Sequence, residues 1–434
     1  MGSTFLGVEI GRSALQAQRL ALEVTGDNIA NAGTPGYTRQ QPVFAPVDLF
    51  AEATVQAQTG VVRLGTGVSV ERVRRVRDQY LEEQLRAAGS AVAYWEALRD
   101  ALDRVEALFP EPSAEGLQEA LDGFWSAWEE LAQNPQEQAP RAAIRERADA
   151  LAGRLKYLAA ELSRIGADLA ALTADGVSRI NELADRLADL NQRIRALGSR
   201  VDNHVLDERD RLLGELSGLM AVGVVENDDG TVTVTGAGQT LVDGFEARDV
   251  AEEDLAAVAG GPGGKLGALL EARAEVEAYR AKLADFTGAL ALRVNEAYGD
   301  TFFVFDGQTI GLNGDIAASA DNIVAGRSGY AGDNTVAVAV AGLREVPVLE
   351  GLTFGQYYRQ LVAGVGEARA GAEAGVAAYG RVRDNLETLR EGVSGVSLDE
   401  ELTYLMQYRY AFEAAARYIS TLDEMLDTLV NRLR

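Results

Sequence analysis

The sequence predicts a mainly α-helical protein with a small inserted β part, in which the terminal helices form a coiled coil and long helices bundle into a domain between them. Three observations carry that expectation. Apolar residues recur at alternating spacings of three and four over most of the 434 residues, the pattern of helices with one buried face. Period-two runs are confined to short stretches bounded by glycine and proline. Both ends carry unbroken apolar seams, and a lone helix with one apolar stripe leaves that stripe in water unless something covers it.

In chain order, the first helix presents Ile10, Ala14, Ala17, Ala21 and Val24 on one seam, flanked by Val8, Leu15, Leu22 and Ile29 at intervals of seven. It ends near Asn31, because Gly33, Thr34, Pro35 and Gly36 combine a helix terminator with a proline that disfavours helical geometry just before it. Residues 33 to 72 read as extended: Val43, Ala45, Val47 and Leu49 fall at a spacing of two, and Gly60, Gly65 and Gly67 punctuate runs such as Val68 to Val70. A second helix covers 75 to 108 and stops before Pro110 and Pro112; a third covers 114 to 133. The longest pattern runs from Leu151 to Leu172 and resumes from Leu183 to Val201. Between the halves the register gains four residues around Gly176, a stutter that unwinds a supercoil without ending the helix. One helix of roughly 80 Å is therefore expected, at ~1.5 Å per residue.

After Leu219 the period changes to two, with Val222, Val224, the turn residues Asp228, Asp229 and Gly230, then Val232 and Val234, and a third strand at Leu241 and Val242. Helix returns over 266 to 298. A second β-type segment covers 301 to 349 and includes Phe302 to Phe305 and Thr335 to Ala341. The last helix, after Gly395, carries Leu405, Tyr408, Phe412, Ala415, Ile419, Leu422, Leu426, Leu429 and Leu433 in strict alternation. The elements group into three parts: 1–40 with 393–434 as a terminal coiled-coil core, 41–220 with 266–300 and 350–392 as an extended segment and long-helix domain, and 221–265 with 301–349 as a small β-rich outer part. The small Ala14, Ala17 and Ala21 complement the large side chains of the last seam. Periodicity alone leaves open whether the ends pair with each other or dock on the central helices.

Composition narrows the function. With 41 Lys plus Arg against 66 Asp plus Glu, the formal charge is −25, which repels nucleic acid and anionic membrane surfaces. The absence of cysteine removes disulfides and thiolate chemistry. The longest apolar stretches, such as Val336 to Ala341, fall far short of the ~20 residues needed to cross a bilayer, so no membrane insertion is expected. The N-terminus lacks the basic and continuously apolar regions of a secretory signal. The lone His204 reads as a solvated surface residue at the end of the long helix. Gly260, Gly261, Gly263, Gly264 and Lys265 fail as a phosphate loop, because Ala259 replaces the first glycine and Leu266 the Ser/Thr that would hold magnesium. Asp207, Glu208 and Asp210, interleaved with Arg209 and Arg211, read as helix-surface ion pairs. No catalytic, metal or cofactor-binding residue is expected.

Specificity comes from a longer motif. Asn28-Ile29-Ala30-Asn31-Ala32-Gly33-Thr34-Pro35-Gly36-Tyr37-Thr38-Arg39-Gln40 resembles the N-terminal signature of bacterial flagellar rod, hook and hook-associated proteins. The stretch from Gly65 to Arg75, with Asp78, Tyr80, Leu81 and Gln84 to Arg86, resembles the segment C-terminal to that signature in the same family. Gly395 to Glu401 with Ile419 to Leu426, including Asp423, Glu424 and Met425, resembles the family's C-terminal helix. The long helical region and Leu206 to Leu213 point to the hook-associated branch, since rod proteins are too short to contain them. Two departures stand out: a short middle, implying a reduced outer β domain, and Phe412 where a tyrosine is usual.

The resemblance implies a non-enzymatic subunit of an extracellular ring between hook and filament, exported unfolded through the flagellar type III channel without a cleaved signal peptide. Its implied partners are further copies of itself, the hook protein, a second hook–filament junction protein and a cytoplasmic export chaperone. The residues expected at its assembly interface are Ile10, Ala14, Ala17, Ala21, Val24, Leu405, Phe412, Ile419, Leu422, Leu426 and Leu429. Another axial subunit of hook or rod, or a flagellum-borne enzyme with its site within 221–350, remains open on the sequence alone.

Overall fold

The computed structural model describes residues 3–34, 36–47, 56–57, 60–61, 65–198, 201–257 and 263–431. Pro35, Leu49, Ala259 to Gly261 and Leu433 lie outside them, as does the side chain of Leu429. The chain begins with α1 (Ser3–Ala30), followed by β1 (Gln40–Pro46), β2 (Gln56–Ala57), β3 (Gly60–Val61) and β4 (Val68–Arg75). Then come α2 (Gln79–Glu106), α3 (Leu117–Gln133), α4 (Gln138–Leu197) and α5 (Asn203–Leu219). A four-stranded antiparallel sheet comes next, in the order β5 (Val222–Glu226), β6 (Val232–Gly236), β7 (Gln239–Asp243) and β8 (Glu246–Ala247). After it are α6 (Gly264–Tyr298), the hairpin of β9 (Phe303–Phe305) and β10 (Ile310–Leu312), the short helices α7 (Gly314–Ala318) and α8 (Thr335–Gly342), and finally α9 (Phe354–Ser394) and α10 (Leu398–Asn431). The mainly α fold with long helices is as expected.

The chain divides into two compact units, one of residues 1–86, 192–214 and 382–434, the other of 87–191 and 215–381. In the second unit, Phe124, Trp128, Phe286, Phe302, Phe303 and Phe354 are all fully buried, and their rings meet at centroid distances of 4.9 to 6.4 Å, the range in which aromatic pairs add to area burial. Gly176, where the seam of α4 gains four residues, is where Leu266 of α6 settles: a Cβ there would lie 2.5 Å from Leu266 Cδ2. The stutter thus accommodates a neighbouring side chain while the 60-residue helix continues, for a length of about 90 Å. Gly264 is required for a different reason, since its φ is +76° and a Cβ would meet the Met220 backbone nitrogen at 2.6 Å.

Several expectations are corrected. The run Thr335 to Ala341 is helix α8 and not strand. A strand would have placed Val336, Val338 and Val340 on one face; instead Val336, Ala337 and Val340 are buried while Val338 is half exposed. The helical contacts offered by α3 and α6 and the high helix propensity of alanine outweigh the alternating pattern. Residues 75 to 78 do not start the second helix, because Arg75 closes β4 opposite Gln40. The long helix starts at Gln138 and ends at Leu197, so His204 lies in the first turn of α5 and not at the end of α4. The sheet after Leu219 has four strands where three were expected; its first turn is at Asp228 to Gly230, with Gly230 at φ +80°.

Candidate assembly interface

In the first unit α1 and α10 lie along each other. A Cβ on Gly7 would fall 3.0 Å from Leu422 Cδ1, one on Gly11 would fall 2.5 Å from Ile419 Cγ1, and the Asn28 side chain reaches Glu401 at 3.0 Å. Rising numbers in α1 meet falling numbers in α10, so the pair is antiparallel. That register brings Ala17 level with Phe412 and Val24 level with Leu405, small residues against large ones. Ala17, Ala21 and Val24 are buried; Ile10, Ala14, Leu405, Phe412, Ile419, Leu422 and Leu426 are half-buried. The residues expected at the assembly interface are thus gathered by the structure into a seam within one chain, apart from Leu429, whose side chain lies outside the description. Gly7 and Gly11 are interface residues that periodicity missed, because a hydrophobic pattern does not register a position whose role is to have no side chain.

The signature residues build a polar clasp at one end of this seam. Asn28, 1% exposed, accepts the Gln40 backbone N–H at 2.9 Å and donates to the Gln40 carbonyl at 2.8 Å, so its amide pairs with the start of β1 as another strand would. Only a side chain that both donates and accepts does this, which an aspartate cannot. Its Nδ2 also donates to Glu401 Oε2. Arg39 Nε donates to Glu401 Oε1 at 2.8 Å, the Arg39 guanidinium reaches Glu400 at 2.9 Å, and its backbone N–H donates to the Ser394 carbonyl at 3.1 Å. Burial disfavours the Arg39 charge, but Glu401 and Glu400 outweigh that and raise its pKa.

Asn31 and Thr34 shape the turn: Asn31 donates to Asp27 Oδ1 at 2.9 Å, and the Thr34 hydroxyl donates to Asn31 Oδ1 at 3.2 Å. Gly36 sits at φ +81°. The Tyr37 hydroxyl lies 3.0 Å from Asp27 Oδ2 and 2.8 Å from Asn28 Oδ1; burial, with Asp27 beside it, pushes its pKa well above the ordinary value. Asn203 of α5 donates to Gln40 Oε1 at 2.8 Å, and His204 Nε2 stands 3.6 Å from Asp27 Oδ2 with its side chain half exposed. At the other end of the signature set, Asp423, Glu424 and Met425 are exposed on α10.

The acidic cluster is not a set of surface pairs, as expected from sequence. Asp210 meets Arg75 at 2.6 Å and Arg77 at 2.7 Å, and Asp207 meets Arg75 at 2.9 Å, all with little solvent exposure. Arg209 is 1% exposed. Only Glu208 with Arg211, at 2.8 Å, is an ordinary exposed i,i+3 pair. Burial would raise the Asp210 pKa, but Arg209, Arg77 and Arg75 outweigh it and hold the carboxyl below its ordinary value.

With α1 covering one side of α10, a second apolar line remains open. Leu398, Leu402, Met406 and Tyr410, spaced by four, are each about half exposed. Val382 and Leu389 do the same at the C-terminal end of α9. Among the described residues, no helix is long and apolar enough to cross a membrane, and no group of His, Cys, Asp and Glu is arranged to hold a metal ion.

Comparison with known proteins bears on both ends and the middle. The family model of the flagellar hook-associated protein FlgK helical domain matches residues 102–313, that of the flagella basal body rod protein matches 9–38, and that of the flagellar basal body rod FlgEFG protein C-terminal region matches 392–433. Flagellar hook-associated protein 1 of Bacillus subtilis is 27% identical over 516 aligned positions covering 99% of both chains; the alignment is longer than this chain, so the relative carries stretches that this one lacks. The proteins of the same name from Salmonella typhimurium and Escherichia coli are 27% and 26% identical over 55% of this chain and 43% of their own length. In fold, the chain is similar to the flagellar hook junction protein FlgK from Burkholderia pseudomallei, with a TM-score of 0.61 at 15% identity, covering 72% of this chain and 100% of that one. The rod-type matches fall on the two helices that the clasp holds together and the FlgK match on the long helices between them, and one relative aligns along the whole chain: from end to end, the chain is similar to flagellar hook-associated protein 1.

Proposed function

We propose that this protein is the structural subunit that joins hook to filament in a bacterial flagellum, acting without catalysis as a ring of identical copies. The observation that carries this reading is the open apolar line on α10 together with its counterpart at the end of α9. Exposed apolar side chains gathered on one element mark an interaction surface. At about 25 cal/mol per Å² of apolar area buried, covering such a line against neighbouring copies supplies association energy, while the α1–α10 seam gives each copy its shape. The hook protein below and a second junction protein above are the remaining contacts of the ring. The subunit leaves the cell through the flagellar export channel, its C-terminal helix carried by a cytoplasmic chaperone beforehand.

Electron microscopy of a deletion strain tests this. Hooks persist on the cells and filaments are shed into the medium, and labelled antibody on wild-type flagella marks one band at the end of the hook. A label along the whole hook, or filaments retained on the deleted strain, overturns the reading.

A further inference from the structure

We propose that Asn28 and Glu401 set the register in which the two terminal helices pair. Asn28 continues the seam of α1, since Ile10, Ala14, Ala17, Ala21, Val24 and Asn28 alternate by four and three. Glu401 continues the seam of α10 in the other direction, preceding Leu405 and Tyr408 in the same alternation. Each helix therefore places one polar residue at a core position, and the two face each other at 3.0 Å, 1% and 2% exposed.

The apolar part of the seam does not define a register by itself. Sliding one helix past the other by seven residues, about 10.5 Å, still sets apolar residues against each other at most levels: one direction brings Ile10 level with Phe412 and Ala17 with Leu405, the other Ala14 with Leu422 and Ala17 with Ile419. The polar pair distinguishes the alternatives. A slide in one direction brings Glu401 level with Ala21, which removes a buried carboxylate from both Arg39 and Asn28. A slide in the other brings Asn28 level with Tyr408, away from Glu401. An unpaired buried charge or amide costs more than the apolar mismatch, and a single polar core residue is known to specify coiled-coil register. Arg39 completes the device, because it neutralises Glu401 from the chain that the signature turn returns to the helix junction. The signature is thus the part of the sequence that forces one pairing on an otherwise repetitive seam. This inference rests on the helix pair within one chain and is independent of the junction reading.

The absence of cysteine allows a disulfide test on the purified full-length protein. Gly11→Cys with Ile419→Cys reports the native register, since a Cβ at Gly11 already lies 2.5 Å from Ile419 Cγ1. Gly11→Cys with Phe412→Cys, and Gly11→Cys with Leu426→Cys, report slides of seven residues in either direction. In the otherwise native chain only the first pair is expected to oxidise. With Asn28→Leu and Glu401→Leu added, the yield of the shifted pairs is expected to rise at least tenfold. Glu401→Gln, which keeps an acceptor for Asn28 and Arg39, is expected to hold the native register. Shifted pairs that stay at their native background in the double leucine chain overturn the proposal. So does a double leucine chain that crosslinks in no register while circular dichroism shows the other helices intact, because the clasp then supplies stability and not register.

Discussion

Asp210 is held by Arg75 and Arg77 at 2.6 and 2.7 Å with Arg209 beside it, so its carboxylate stays ionised at an acidity where a free aspartate is protonated. A depressed carboxyl pKa means stability that is fully present above the ordinary value of 3.8 and is lost as pH falls below it. Asp210→Asn removes one partner of a buried ion cluster and is expected to cost about 3–5 kcal/mol at pH 7. Urea denaturation at pH 7 and at pH 3 checks this: the gap between the native and substituted proteins narrows at the lower pH, and a gap of constant size refutes the assignment. Sequence showed the residue types of this cluster but not its wiring. Spacing along α5 identifies only neighbours on that helix, whereas Asp207 and Asp210 meet Arg75 at the end of β4, more than 130 residues away, and Asp210 also meets Arg77 just beyond that strand. The clasp was legible to the same partial degree: Asn28, Tyr37 and Arg39 were recognisable by motif, and Glu401 as the shared partner of Asn28 and Arg39 was not.

At the scale of the element, two of the three glycines of α4, Gly153 and Gly176, have opposite consequences. Gly153 is exposed with nothing within 4 Å of the position a Cβ would take, while Gly176 has Leu266 at 2.5 Å. Gly153→Ala is expected to stabilise the protein by about 1 kcal/mol through helix propensity alone. Gly176→Ala gains the same propensity but overpacks a full core at a cost of ~1–3 kcal/mol, for a net loss of up to about 2 kcal/mol. Chemical denaturation of both variants checks the pair of signs; stabilisation by Gly176→Ala contradicts the packing argument. Periodicity located this site as a register gain without revealing its cause, since the side chain that fills it belongs to α6. The same limit explains Thr335 to Ala341. Alternating valine and alanine suits a strand and a helix equally, and the partners available, α3 and α6, decided for the helix.

For the whole molecule, the two apolar faces of α10 have different roles, and substitutions separate them. Leu402→Glu with Met406→Glu alters the open line and is expected to leave the stability of the free protein within about 0.5 kcal/mol while abolishing incorporation into flagella. Leu422→Asp with Leu426→Asp attacks the seam with α1, so helical content in the free protein falls and incorporation fails as well, with the second unit still folded. Circular dichroism of the purified variants, together with motility and filament counts in complemented cells, distinguishes the two; normal filaments with either variant contradict the role given to that face. Sequence by itself determined that the protein is built from long amphipathic helices, that both ends carry seams, and that its ends and middle match an axial flagellar family, because helical period and motif are properties of residues near one another in the chain. Only the tertiary structure decided which seam meets which, that Gly7 and Gly11 allow the close approach, that Glu401 and Arg39 close the clasp on Asn28, and which face of α10 remains open. These depend on which distant segments share the same space, and while periodicity marks the face that is buried, it carries no trace of which segment covers it.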